Sequence, residues 1–266
     1  MSGQPDNSAP GAIVLAAGKG TRMKSDLPKV CHPVGGRAMV CAVVDACLEA
    51  GCDRVVCVVG YKQALVREAL AGYGDRVAFA VQDEQLGTGH AVMCARDAFS
   101  GAGRQDVFVL CGDGPLVRPS TLTTMLERHR GRGAVATLAT SVLDDPSGYG
   151  RVVRDAAGRF ERIVEQKNAT DEQLKIREVN PSYYVFDREA LFGALGRLGR
   201  DEVSGEYYIT DVPEMLKSAG GRVEVIEAVP SEDVLSINTP EQLAEVDRVF
   251  MARVERGAGA GDRSAR

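Results

Sequence analysis

An α/β fold built on a mostly parallel sheet is predicted by three observations. Apolar runs rich in β-branched residues recur along the first half of the chain: Ile13-Val14-Leu15, then RVVCVVG over 54–60, VAFAV over 77–81 and DVFVL over 106–110. Continuous runs of this kind read as strands buried on both faces. Stretches with helical spacing lie between them, at 39–50 with Met39, Val43, Ala46 and Leu48 before a stop at Gly51, and at 63–70. Such alternation gives parallel strands with right-handed crossovers, and ligands then sit outside the carboxyl ends of the strands. After Asp144 the texture changes: alternation at 148–153 and 159–165 flanks Asp155-Ala156-Ala157-Gly158, the mark of an antiparallel hairpin. The prediction is therefore a Rossmann-like, mostly parallel mixed sheet flanked by helices, with an inserted antiparallel β-hairpin as a lid over the crevice.

The remaining elements follow the same logic. A turn falls at Pro33-Val34-Gly35-Gly36, and a helix starts near Thr88 and carries Val92, Met93 and Ala95. A helix over 120–130 carries Leu122, Met125 and Leu126, with His129 near its basic end expected to meet terminal carbonyls. A strand at 134–142, a helix at 188–195 and a strand at 222–227 complete the pattern. Asp211 makes an N-cap for Val212-Pro213-Glu214, and Thr239, Pro240 and Gln242 form a strong start for a last helix bearing Leu243, Val246, Val249 and Phe250. A single domain over 12–254 is expected, between a disordered lead at 1–11 and a flexible tail at 255–266.

Composition narrows the partners. A net charge of −5 argues against broad binding to nucleic acid or anionic membranes, but not against a small anionic ligand that needs only a local cluster of cations. No apolar run reaches the roughly 20 residues of a membrane span, and the first residues lack the basic start and apolar core of a secretory signal. The seven cysteines form no C-x-x-C pair and, with only three histidines, no zinc-like ligand set. They read as small buried hydrophobes in a reducing compartment, so a cytoplasmic location is expected.

The first strand empties into Ala17-Gly18-Lys19-Gly20-Thr21-Arg22-Met23. Small residues there let backbone N–H groups turn tightly and approach a ligand, and consecutive N–H groups form an anion-binding concavity. Lys19, Arg22 and Lys29 bring positive charge to it. The dinucleotide fingerprint lacks its third glycine, and the P-loop pattern fails because Gly20 follows Lys19. On the residues alone two readings stand: a polyphosphate cradle, or a strand-to-loop turn whose glycines serve geometry. Asp113, in Cys111-Gly112-Asp113-Gly114-Pro115 at the end of the fourth strand, likewise reads as an Asx-turn former or as a Mg²⁺ ligand beside phosphates.

The literal string L-A-A-G-x-G-T-R-M followed by L-P-K resembles the signature loop of the sugar-1-phosphate nucleotidyltransferases. It is most similar to the N-terminal uridyltransferase (UDP-N-acetylglucosamine pyrophosphorylase) domain of the bacterial bifunctional N-acetylglucosamine-1-phosphate enzyme. The resemblance runs from Ala12 to Phe250 and includes Q-L-G-T-G-H-A at 85–91, D-P-x-G-Y-G-R at 145–151, I-V-E-x-K-x-A-T at 163–170 and G-E-Y-Y-I-T-D at 205–211. It implies a nucleotide-binding part at 12–143 and a sugar-binding part with a metal-ligand segment at 144–254. Nucleotide contacts then fall on Leu15, Ala16, Ala17, Gly18, Lys19, Gly20, Thr21 and Gly112, with Gln82, Gly87 and Thr88 on the base. The sugar falls to Gly150, Glu165 and Asn180, Mg²⁺ to Asp113 and Asn238, and the catalytic cations are Arg22 and Lys29. His90 is expected to be structural, and 205–211 to frame the sugar side. The family's acetyltransferase half is a repeat-built β-helix, and no such repeats occur here. Nucleotidyl transfer without acetyl transfer is expected.

The implied substrates are UTP and a sugar-1-phosphate, N-acetylglucosamine-1-phosphate first, yielding UDP-sugar and pyrophosphate. Three departures bear on selectivity: Cys111 stands where the pattern has Tyr, and Pro181-Ser182 where it has Thr-Gly. They keep open another sugar phosphate or dTTP with the same chemistry. A non-catalytic nucleotide-sugar sensor is the alternative of a different kind, disfavoured because Arg22, Lys29, Asp113 and Asn238 are all present.

Overall fold

A computed structural model describes residues 8–101, 105–235 and 237–261. In chain order its elements are β1 (Gly11–Ala16), β2 (Pro33–Val34), β3 (Arg37–Ala38), α1 (Met39–Glu49), β4 (Arg54–Val59), α2 (Gln63–Ala69), β5 (Val77–Val81), α3 (Thr88–Cys94), β6 (Asp106–Cys111), α4 (Pro119–Arg132), β7 (Ala136–Val142), β8 (Gly150–Arg154), β9 (Phe160–Val164), α5 (Asp171–Leu174), β10 (Glu178–Asp187), α6 (Arg188–Leu195), α7 (Val212–Ser218), β11 (Val223–Glu227) and α8 (Pro240–Gly261). The main sheet runs β11-β7-β10-β6-β1-β4-β5, and β8 and β9 extend it from β10. The strands β6, β1, β4 and β5 are mutually parallel, as the apolar runs predict.

The order of these strands positions the site. The chain leaves β1 for β4 on one side and returns through β6 on the other, so the carboxyl ends of β1 and β6 flank a topological switch point. Both faces of the sheet are dry. One packs Val14, Phe108 and Leu110 against Met39, Val43 and Leu122, and the other packs Ile13, Val58 and Val109 against Val92, Leu191 and Val212. Each fully buried side chain of this size contributes about 1.5–3 kcal/mol.

The sequence pattern misses one large element. β10 is the longest strand, antiparallel to both β6 and β7, and it reads poorly because Pro181 and Ser182 interrupt it. Its register on β7 shifts between Val179 and Tyr183, so three residues bulge from the ladder. Ser182 there takes a left-handed φ of 64°, costly for a residue with a Cβ. The predicted hairpin forms as β8–β9, but β8 pairs with β10 through Val179 and Asn180, so the lid is an extension of the main sheet.

Smaller corrections have local causes. Gly11 belongs to β1 rather than to a disordered lead, because it pairs with both Arg54 and Val107; residues 1–7 of that lead lie outside the described residues. α8 continues through 261, past the expected start of the flexible tail, and 262–266 lie outside the described residues. The turn at 33–36 is a small hairpin, β2–β3, whose Gly35 N–H donates to Asp247 Oδ1 at 2.7 Å and thereby seats α8. Among the described residues no helix is long and apolar enough to cross a membrane.

His129 does not serve the end of α4. It is fully buried, with Nδ1 3.0 Å from Thr137 Oγ1 and Nε2 3.4 Å from Asp106 Oδ1, while Arg130 Nε donates to Asp106 Oδ2 at 2.6 Å. Burial alone would raise the Asp106 carboxyl, but hydrogen bonds and charge from His129 and Arg130 outweigh it and hold the group below its ordinary value. A depressed carboxylate stabilises the fold above its unfolded pKa of about 4, and that contribution fades as pH falls through the folded value. Asp106→Asn should therefore cost about 1–3 kcal/mol at pH 7 and flatten the acid limb of a urea-denaturation series run from pH 7 to pH 3. An unchanged acid limb would contradict this assignment.

Candidate active site

The end of β1 is held open by backbone bonds to both neighbours. Gly112 N–H donates to Leu15 O at 2.9 Å, and Tyr61 N–H donates to Ala17 O at 3.0 Å. The glycine turn then folds back through a short 3₁₀ turn, Thr21–Met23, with Gly20 at φ 70°. A Cβ on Gly20 would stand 2.5 Å from the Lys29 Cβ, so the glycine is what lets Lys29 lie against the loop. From there Lys29 Nζ donates to Asp113 Oδ2 at 2.6 Å and to Asn238 Oδ1 at 3.4 Å. Asn238 is fixed in turn by Gln242, whose Oε1 accepts its backbone N–H at 2.7 Å.

Two clefts meet at this cation. The larger, about 300 Å³, is lined by Leu15, Ala16, Ala17, Gly18 and Gly20 on one wall and by Gln82, Gln85, Gly87, Thr88 and Glu206 on the other. The second, about 200 Å³, includes Gly150, Glu165, Asn180 and Ser182. Lys29, Cys111 and Asp113 line both. Lys19, Thr21 and Arg22 stand outside both clefts and are exposed, and the Lys19 ammonium sits 5.3 Å from the Tyr61 ring. Gly112 lies beneath the first cleft, where a Cβ would meet Leu15 O at 2.9 Å.

The polar groups of the larger cleft are braced from behind. Gln82 is buried, its Nε2 donating to Gly87 O at 3.1 Å and lying 3.1 Å from His90 Nδ1, so His90 does orient another side chain. Gly87, at φ 100°, is the N-cap of α3, and the Thr88 hydroxyl accepts the Ile209 N–H at 3.1 Å. The 205–211 segment, expected on the sugar side, packs first on this wall: Tyr207 N–H donates to Leu86 O at 2.8 Å and Gly89 N–H to Tyr207 O at 2.7 Å. It reaches the second cleft as well, where Thr210 Oγ1 donates to Glu165 Oε1 at 3.0 Å. Gln85 and Glu206 are wall residues that the sequence analysis did not single out, although both fall inside the matching strings.

Electrostatics distinguish the two clefts. Burial raises the Glu165 carboxyl, with Thr210 and Lys167 opposing and Glu206 and Asp201 adding to the rise. Burial likewise lifts neighbouring Asp211 to about 6, helped by Glu165, Glu214 and Asp201. Burial pushes the Cys111 thiol to about 12, which makes it a neutral wall group rather than a nucleophile. The Asn180 amide is engaged by protein groups: Nδ2 donates to Tyr184 Oη at 2.6 Å and Oδ1 accepts the Ser182 N–H at 3.3 Å.

The oxygens of Asp113 and Asn238 converge on one positive charge, which is the donor set of a hard divalent cation that takes few protein ligands and leaves room for phosphate. Mg²⁺ fits these residues. Among the described residues there is no cluster of three or more His, Cys, Asp or Glu that would hold a metal by itself.

The profile of the MobA-like NTP transferase domain matches residues 12–201, from β1 to beyond α6, and stops short of Asp233, Val234, Leu235 and Ile237 in the second cleft. The chain belongs to the MobA-like NTP transferase family. Among curated relatives, the bifunctional protein GlmU of Heliobacterium modesticaldum is 46% identical over 245 residues, covering 92% of this chain and 53% of that protein. GlmU of Geobacter metallireducens is 48% identical over 246 residues, covering 92% and 51%. The chain thus spans about half the length of the curated relatives it matches. A crystal structure of apo UDP-glucose pyrophosphorylase superposes with a TM-score of 0.73 at 17% identity, over 92% of this chain and 99% of that one, a likeness of fold.

In this NTP transferase domain the contact between Gly20 and Lys29 can be tested directly. Gly20→Ala combines a strained positive φ with a Cβ collision, and should cost about 1–3 kcal/mol of stability while loosening Lys29 from Asp113. Thermal melts of the variant beside Gly18→Ala, whose Cβ meets nothing within 4 Å, check this. Equal melting temperatures for the two would contradict it.

Proposed function

We propose that the chain joins UTP to a sugar-1-phosphate, with N-acetylglucosamine-1-phosphate the first candidate, giving UDP-sugar and pyrophosphate in a Mg²⁺-dependent reaction. The observation that carries this reading is the junction: two separate clefts share Lys29 and Asp113, as a transfer between two anionic substrates requires. The larger cleft, with a glycine turn and a buried amide, suits the nucleotide, and the smaller one, with Glu165 and Asn180, suits a hydroxylated sugar. The GlmU relatives and the sequence resemblance support the choice of substrates.

The reaction breaks the bond between the α-phosphorus and the bridging oxygen to the β-phosphate and forms a bond from the sugar phosphate oxygen to the α-phosphorus. The leaving electron pair goes with pyrophosphate. The attacking oxygen is already anionic near neutral pH, so no general base is needed, and the work lies in aligning two anions and offsetting their charge. Asp113 and Asn238 would hold Mg²⁺, which when bound would supply charge neutralisation at phosphate oxygens. Lys29 Nζ, the cation at the junction, turns from Asp113 and Asn238 to donate to the transferring phosphate. Arg22, on the exposed rim, closes onto the leaving pyrophosphate, and the N–H groups from Gly18 to Thr21 hold the remaining oxygens. Glu165, braced by Thr210, accepts from sugar hydroxyls. A different sugar phosphate is favoured by one observation: the Asn180 amide is already engaged by Tyr184 and Ser182, which lessens its part in recognising an N-acetyl group.

The test is pyrophosphate release across UTP and dTTP with N-acetylglucosamine-1-phosphate and glucose-1-phosphate, with and without Mg²⁺. Release that needs Mg²⁺ and is faster with UTP than with dTTP is expected; none from any pair contradicts the proposal. In the productive pair, Lys29→Ala and Arg22→Ala should lower kcat on the order of a hundredfold and leave the sugar-phosphate KM nearly unchanged, since both groups act as charge develops. A raised sugar-phosphate KM with normal kcat would assign them to the wrong cleft.

A further inference from the structure

Regular strands alternate their side chains, yet Asn180, Pro181, Ser182 and Tyr183, four consecutive residues of β10, all line the smaller cleft. The bulge makes this geometry. Residues 180–182 leave the β7 ladder, with Ser182 at φ 64°, and Tyr183 rejoins it opposite Ala139. Strain of this kind persists where the surrounding structure holds it, and bulges re-aim side chains beside functional sites.

What the bulge aims is a phenol without a partner. Tyr183 is 4% exposed, and its hydroxyl finds no hydrogen-bond partner among the described residues. The ring stands against Gly114, where a Cβ would come within 4.0 Å of the hydroxyl and of the ring edge, so the residue after Asp113 has no side chain to fill that space. Asp233, which lines the same cleft, is engaged by Arg118 and Arg253 and makes no bond to the phenol. A buried hydroxyl left unpaired is costly, and one that lines a cleft is placed to gain a partner from what the cleft binds. On the neighbouring strand, Cys111 presents only a small thiol to the cleft where the resembled pattern carries a tyrosine.

We propose that Tyr183 is a substrate-binding residue of the smaller cleft, its hydroxyl paired with a polar group of the acceptor sugar-1-phosphate and thereby restoring a phenol to a wall that Cys111 leaves bare. The proposal rests on the reading of this cleft as the sugar-phosphate subsite. It assigns Tyr183 no part in the transfer step.

Tyr183→Phe separates this from a packing role. The variant keeps the ring and removes only the orphan hydroxyl, so the free protein should melt at the same temperature or higher. In steady-state assays with N-acetylglucosamine-1-phosphate and with glucose-1-phosphate, the KM of the accepted sugar phosphate should rise about three- to tenfold, the loss of one hydrogen bond. The KM for the triphosphate should not move. Equal sugar-phosphate KM values for the wild type and Tyr183→Phe would overturn the proposal and leave the reading of the cleft intact. No turnover by the wild-type chain with either sugar phosphate would overturn that reading, and the proposal with it. A raised KM confined to the triphosphate would put the phenol in the other subsite and also overturn the proposal.

Discussion

The ion pair between Lys29 and Asp113 is the contact on which the arrangement of the site depends. Its partners are 84 residues apart, and Asn238, which shares the same ammonium, lies a further 125 along the chain. The side chains of Lys29 and Asp113 are 16% and 33% exposed, so each is partly stripped of water, and removing one would leave the other's charge poorly compensated. Three features converge to make the pair possible. Gly20 lets the lysine lie against the loop, the parallel pairing of β1 and β6 brings Asp113 level with the glycine turn, and the start of α8 delivers Asn238. α8 is itself fixed by Asp247 on the Gly35 turn and by Phe250 packed there.

From that junction the two clefts are joined by a second device, the segment from Glu206 to Asp211. Its backbone clamps the turn before α3, and its Thr210 hydroxyl holds Glu165 in the other cleft. The acidic groups gathered here act on one another: Glu206 adds to the rise of Glu165, and Glu165 to that of Asp211.

The parallel half of the fold was legible because a strand buried on both faces leaves an unbroken apolar run, as in β1, β4 and β6; β5 has such a run although, as the edge strand, it is only partly buried. The glycine turn and Asp113 could be found as candidates from residue type and strand-end position, although their use for phosphate and metal could not be separated from turn geometry without the resemblance. β10 was hidden, since Pro181 and Ser182 break its pattern at the bulge that lines the cleft. The distortion of the strand and the loss of sequence signal have the same cause there. His129 was misread because a basic residue near a helix end suggests a carbonyl partner, while the side chain turns inward to Asp106 and Thr137 across the sheet. The bracing by Ile209 and Thr210 joins residues 121 and 45 apart, a link that no local pattern carries.

Asp113 and Asn238 are proposed as the cation seat between the two clefts. Anomalous diffraction from crystals grown with Mn²⁺ and a non-hydrolysable UTP analogue tests it most directly. A manganese peak ligated by both residues is expected, with the triphosphate along the glycine turn and the Lys29 ammonium moved from Asp113 to a phosphate oxygen. A nucleotide bound in the larger cleft with its manganese ligated elsewhere, and the Lys29–Asp113 pair intact, would contradict it.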